Sequence, residues 1–292
     1  MRITDSMTFN VVLQGQTRAN RRLLDASRSA STGERVSAPS DDPVAWATAV
    51  NQESRISRLE SRSSTVIRAA DDLAGAESLL DQAGSYVQQA REIALAAANG
   101  AIDPNTRASL SRQINDIRTG LLGIANSRGV NGFLFAGTRN DTAPFTATGA
   151  FTGNDTALSV EIADGVSIRA NASGARAFTA AGGRDIFADL QSLATALTAN
   201  NLTDIRSAIT NLDAGHQQIV STRIDAGIGV ERLRSASEVA DTARTNAATA
   251  RAAAVEADYP TVLSELTNAR GAYERNIAVT REILQVSTIN RF

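Results

Sequence analysis

From Pro43 to Asn99, apolar residues return every seven positions. Leu59, Val66, Leu73, Leu80, Val87 and Ala94 form one series, and Ala69, Ala76, Ala83, Ala90 and Ala97 follow its members by three. This is a heptad seam with large residues at one core position and alanine at the other, and small residues let neighbouring helices approach closely. At 1.5 Å per residue the segment spans roughly 80 Å, longer than a globular domain needs and suited to a rod. Its start is marked by Ser40-Asp41-Asp42-Pro43, where capping side chains and two acids meet the positive end of the helix dipole and Pro takes a tolerated first-turn position. Asp103-Pro104 repeats the device for a second helix, whose stripe is Leu110, Ile114, Ile117, Leu121 and Ile124. Asn99-Gly100 predicts the turn between them, so the two helices read as an antiparallel hairpin.

The window from about 136 to 184 has another rhythm. Leu158, Val160 and Ile162 alternate with polar residues, Asp164-Gly165 follows, and Val166 and Ile168 alternate again, which predicts a β-hairpin. Glycines cluster between Gly129 and Gly183, and Phe133, Phe135, Phe145, Phe151, Phe178 and Phe187 lie in or beside the window. The reading is a small β insert with its own minor core. Helical periodicity resumes with Ile186, Leu190, Leu193 and Leu197, then Leu202, Ile205, Ile209 and Leu212, and runs more weakly through Ile219 and Val230 to about Ala257.

The two ends of the chain are amphipathic and lack partners nearby in sequence. Val262, Leu266, Ala269, Tyr273, Ile277, Thr280 and Leu284 form one face after Asp258-Tyr259-Pro260, and Met7, Val11, Leu23, Leu24 and Ala30, preceded by Ile3, form another. Short amphipathic helices need packing partners, so the economical solution pairs the two ends. The expected fold is mainly α with a small β insert. It is an elongated helical rod, with its N- and C-terminal helices paired as a coiled coil and the β domain at the far tip. Residues 1–40 with 258–292 are the expected terminal assembly domain, 41–135 with 184–257 the helical rod, and 136–183 the outer β domain. Leu59, Val66, Leu73, Leu80, Val87, Leu110, Ile114, Ile117 and Leu121 are assigned to the rod core. Neither terminal stripe can be covered fully by one partner helix. Ile3, Met7, Val11, Leu23, Leu24, Val262, Leu266, Tyr273, Ile277 and Leu284 are therefore assigned to contacts with other subunits.

Composition changes this picture little. Apolar residues reach 42% but aromatics only 4%, which fits thin helical layers better than a thick globule. A formal charge of −2 with both signs interspersed leaves no footprint for nucleic acid or an anionic membrane. Every basic residue but His216 is Arg, which removes lysine Schiff-base and phosphate-loop chemistry, and the absence of Cys removes disulfides and thiolate metal sites. The first twenty residues lack an apolar core and a cleavage site, and no 18-residue apolar run follows, so neither a cleaved secretion signal nor a transmembrane helix is expected. His216 is the single histidine, too isolated for a triad or a zinc site. Asp41-Asp42 is explained by helix capping, Trp46 by packing, and the glycines from Gly129 to Gly137 lack dinucleotide or phosphate-loop spacing. No catalytic residue, metal or cofactor is expected.

Ser31-Thr32-Gly33-Glu34-Arg35-Val36, followed by Pro39-Ser40-Asp41-Asp42-Pro43, resembles the signature near the N-terminus of flagellin-like axial proteins. The Pro-Ser-Asp-Asp-Pro form and the opening Met1-Arg2-Ile3-Thr4 are more similar to the hook-associated branch of that family. Asn131-Gly132-Phe133-Leu134-Phe135-Ala136-Gly137-Thr138, with Thr142-Ala143-Pro144-Phe145, is similar to the family's exit from the helical part into the outer β domain. The resemblance implies a structural subunit of the bacterial flagellum at the junction of hook and filament, with a minor flagellin or flagellin-like filament subunit as the alternative. It also implies an extracellular place in the flagellum, reached unfolded through the flagellar type III export apparatus without a cleaved signal. The implied partners are other copies of the chain in a ring, the first hook-associated protein, flagellin, and a cytoplasmic export chaperone on the C-terminal helix, about 259–292. A cytoplasmic signalling hairpin or a granule-coat protein would share the heptads, but such modules rarely carry a β insert at the tip.

Overall fold

A computed structural model of the chain describes residues 5–99 and 102–289. In order these form α1 (Asp5–Thr32), α2 (Pro43–Ala97), α3 (Pro104–Ala125), β1 (Arg128–Gly129), β2 (Gly132–Phe133), β3 (Ser159–Ala163), β4 (Val166–Arg169), α4 (Gly174–Phe178), a 3-10 turn (Ala180–Gly182), α5 (Ile186–Ala199), α6 (Leu202–Val255) and α7 (Tyr259–Ile289). The chain is mainly α with a small β part, as its periodicities predict. It divides into two compact units, residues 1–58 with 243–292 and residues 59–242, and the division falls inside α2 and α6.

In the larger unit the heptad seam is the core. Leu73, Leu80 and Val87, with Ala76, Ala83 and Ala90 between them, are buried together with Ile114 and Leu121 of α3 and Ile205, Leu212, Ile219 and Leu233 of α6. Alanine and glycine set the helix spacing: a Cβ added at Gly229 would lie 2.6 Å from Leu73 Cδ2. Arg223 of α6 pairs with Glu77 (2.9 Å) and Asp81 of α2, Arg91 of α2 pairs with Asp213 (3.3 Å), and Ser63 meets Ser237 (3.3 Å). Residue numbers fall along α6 as they rise along α2, so the two helices are antiparallel. At the start of α3, the Asp103 carboxylate accepts the N–H groups of Asn105 (2.9 Å) and Thr106 (3.1 Å), with Pro104 at the first helical position. The turn expected at Asn99-Gly100 lies partly outside the described residues.

The hairpin around Asp164-Gly165 is present: β3 and β4 pair antiparallel, with an irregularity between Glu161 and Ala163. Two features depart from the expected β insert. A second two-stranded pair, β1 with β2, precedes the window, and α4 and the 3-10 turn stand inside it. The aromatic residues also do not form a separate core. Phe145 meets Phe178 edge-on (5.7 Å between centroids) and Phe187 at a tilt (5.4 Å), Phe135 meets Phe178 edge-on (5.5 Å), and all four are continuous with the helical core. Isolated two-stranded sheets bury too little to stand alone, so the segment borrows the faces of the helices. Gln218 of α6 holds the connection in place. Its amide faces the carbonyls of Ala177 (3.2 Å), Thr179 (3.1 Å) and Arg184 (3.1 Å), and its Oε1 accepts the Arg184 N–H (2.8 Å).

Candidate assembly surface

The smaller unit is organised by the Ser31–Pro43 motif. The Arg35 N–H donates to the Val255 carbonyl (2.7 Å), and the Ala257 N–H to the Gly33 carbonyl (2.9 Å), so the end of α1 is laced to the entry of α7. Val36 is buried with Ala49 and Val255, and Trp46 packs against them. The guanidinium of Arg35 bonds the Ala254 carbonyl (3.0 Å), and Arg251 reaches Glu53 (2.9 Å). The two acids of the motif divide the work. Asp41 accepts the N–H groups of Ser37 (3.0 Å) and Ala38 (2.9 Å), closing the turn, whereas Asp42 accepts those of Val44 (3.1 Å) and Ala45 (3.0 Å), capping α2. These N–H groups hold both carboxyls below the usual Asp value, that of Ser37 chiefly for Asp41 and that of Ala45 chiefly for Asp42.

From this clasp α1 packs against α7. A Cβ at Gly15 would meet Asn276 Oδ1 at 3.4 Å. Gly33 sits by Ala257, and Gly15 by Asn276, so eighteen residues of α1 oppose nineteen of α7 in an antiparallel pair. The α1 side of the seam is small: Ala19 and Ala26, one heptad apart, are buried.

Beyond the seam, apolar surface is uncovered. At 3.6 residues per turn, Met7 and Val11 share one side of α1, while Phe9 and Leu13 share nearly the opposite side. Their exposures are 60%, 70%, 51% and 50%. A helix apolar on opposite sides is ordinarily buried on both, and one neighbouring helix covers a single stripe. Leu24 on α1, and Leu263 and Val279 on α7, are also more than half exposed.

Among the residues assigned to assembly, Met7, Val11 and Leu24 are thus exposed, Leu23, Leu266, Tyr273 and Ile277 half-buried, and Val262 buried at 6% exposure. Ile3 and the side chain of Leu284 lie outside the described residues. Among those assigned to the rod core, Val66, Leu73, Leu80, Val87, Ile114, Ile117 and Leu121 are buried, and Leu59 and Leu110 half-buried. Phe9 and Leu13 escape a single-stripe pattern, because they lie on the side of α1 opposite Met7 and Val11. Among the described residues no group of three or more His, Asp or Glu could hold a metal, and no helix is long and apolar enough to cross a membrane.

The second motif sits in the larger unit. Asp72 of α2 accepts the Val130 N–H (2.8 Å) and the Asn131 side-chain amide (2.6 Å), and Phe135 is fully buried. Gly137, at φ 71°, lies so close to the Asn154 carbonyl that no side chain fits there. Residues 3–140, which include the Ser31–Pro43 motif and the stretch Asn131–Thr138, match the family model of the bacterial flagellin N-terminal helical region. That match covers a little under half of the chain. The chain is 32% identical over 164 residues to flagellar hook-associated protein 3 of Salmonella typhimurium, 56% of this chain and 52% of that one. It spans about half the length of the curated relatives it matches. Its fold is shared with a putative flagellar hook-associated protein of Vibrio parahaemolyticus (TM-score 0.67, 20% identity, 73% of this chain and 99% of that one). It is shared also with the flagellar junction protein FlgL of Legionella pneumophila (TM-score 0.58, 15% identity, 72% and 100%). The resemblance read from the two motifs is therefore matched in sequence by hook-associated protein 3 and in fold by solved proteins of that kind.

Proposed function

We propose that this chain is a structural subunit of the bacterial flagellum, placed at the junction of hook and filament, and that its work is assembly rather than catalysis. The observation that carries this is the N-terminal part of α1, where Met7 and Val11 on one side and Phe9 and Leu13 on the other are at least half exposed. An antiparallel helix pair with apolar residues left outside its seam gains by packing against further helices. Copies of the same chain, arranged in a ring, supply them. The terminal assembly domain in this reading is residues 1–40 with 258–292, and the first hook-associated protein and flagellin are the neighbours on either side. An export chaperone covers the C-terminal helix beforehand, and the chain leaves the cell through the flagellar export apparatus.

Deletion of residues 262–292 tests the reading. The shortened chain should stay folded over residues 59–242, as judged by helical circular dichroism and a cooperative melt, yet be missing from sheared flagella. Cells lacking the chain should carry bare hooks and shed flagellin into the medium. A shortened chain that still enters flagella would overturn the terminal-helix assignment. Full filaments on cells without the chain would assign it instead to minor flagellins.

A further inference from the structure

We propose a second contact between copies of this chain, distinct from the terminal helices: the β1–β2 turn of one copy seats in an apolar groove on α6 of the next. The inference rests on the assembly reading above and adds to it a knob, a groove and a direction.

The groove lies between α6 and the β3–β4 hairpin, with a volume of about 870 Å³. Its floor is Ile224, Ile228 and Val239, and its wall is Ile162 and Ile168 of the hairpin. Ile224, Ile228, Glu231, Ser235 and Val239 follow one another by three or four, so this is a second face of α6. The first face, with Ala226, Val230 and Leu233, is buried in the core. The wall is anchored, since Arg62 of α2 reaches Glu161 (3.2 Å) and Asp164 (2.6 Å) on the hairpin.

The knob is held on α2. Val130, at the tip of the β1–β2 turn, is 74% exposed, the highest value among the large apolar side chains of the larger unit's described residues. Its backbone and that of its neighbours are fixed: Asp72 binds Val130 and Asn131, Asn140 donates to the Asn131 carbonyl (2.6 Å), and Arg128 stacks on Phe133 (4.3 Å). An exposed valine on a pinned turn costs little entropy when it docks.

Two relations point to a second copy as the occupant. The groove is lined by eleven residues, well short of the roughly 20–30 per side in a stable free complex. It suits a partner already delivered at high effective concentration by another contact, which the terminal helices of an assembling copy provide. Knob and groove also stand level along the helices. Asp72, which holds Val130, adjoins Leu73, and Leu73 touches Gly229, between Ile224 and Val239. A knob on α2 and a groove on α6 at one height make a heterologous contact, which builds rings or helices of side-by-side copies rather than closed pairs.

The chain has no cysteine, so single cysteines report the contact cleanly. Full-length Val130→Cys and Ile228→Cys chains, one with a size tag, are made together in cells that build the flagellum, and sheared flagella are oxidised. The mixed disulfide should exceed either self-dimer at least tenfold. Self-dimers of Ile228→Cys in equal yield, capture of a different protein by Ile228→Cys, or no cross-link would each overturn the proposal. A parallel Val11→Cys chain separates this from the reading beneath it. If Val11→Cys cross-links copies and the mixed pair does not, only the knob and groove fall; if neither cross-links, both fall.

Discussion

Gln218 offers a quantitative test of how the non-helical segment is held. The side chain is buried, and Gln218→Leu keeps its volume while removing its polar end. The amide has two hydrogens for the three carbonyls of Ala177, Thr179 and Arg184, and Oε1 receives the Arg184 N–H at 2.8 Å, so three full bonds are lost at most. Thr179 keeps the Gly182 N–H (3.0 Å) as a second donor, which places the loss on Ala177 and Arg184. At a net value of about 1 kcal/mol per bond, the substitution should destabilise this region by about 3 kcal/mol. Native-state hydrogen exchange reads it directly. The Arg184 amide should exchange about a hundredfold faster, at roughly 1.4 kcal/mol per factor of ten. Gln217→Leu, one position along and exposed, is the control and should stay within about 0.5 kcal/mol of the native chain. Equal melting of the two variants, with unchanged protection at Arg184, would refute the clasp.

Other outcomes follow from the core and the caps. Leu80 is fully buried in the heptad seam, so Leu80→Ala should cost about 2–5 kcal/mol in urea unfolding, and a loss under about 1 kcal/mol would remove Leu80 from the core. The Thr106 hydroxyl and N–H, and the Asn105 N–H, hold the Asp103 carboxyl below its ordinary value of 3.8. Its charged form therefore supports α3 fully above that ordinary value, and the support fades as pH falls through the lowered folded value. Asp103→Ala should melt earlier than the native chain at neutral pH, with the gap closing in acid; a gap that widens on acidification would contradict the cap.

Much of the architecture is legible in one dimension because its determinants are local or periodic. The heptads of α2 and the stripe of α3 are lines of side chains on single helices, and period alone reveals them. Asp42-Pro43, Asp103-Pro104 and Asp164-Gly165 act on backbone within a few residues, so two helix starts and the hairpin turn can be placed from their spelling. The break between α5 and α6 was less visible. Asn200 leaves the helix at φ 54°, but an Asn-Asn pair inside continuing periodicity is a weaker mark than Gly or Pro.

What the sequence alone determined, then, is which long segments are helical, where some of them begin, and that the ends carry apolar stripes seeking partners. The tertiary structure decided which faces those stripes leave open. Val262 and Met7 look alike as members of amphipathic helices, yet the first is buried against its own unit and the second is exposed. Phe135, Phe145, Phe178 and Phe187 look like the seed of a separate core, but short sheets cannot cover them and they join the helical one. Gln218 and the Ile224–Val239 face are silent in the sequence, since a buried amide and an uncovered second stripe acquire meaning only from residues distant along the chain. Burial is a property of pairs of surfaces, and a sequence pattern describes one surface at a time.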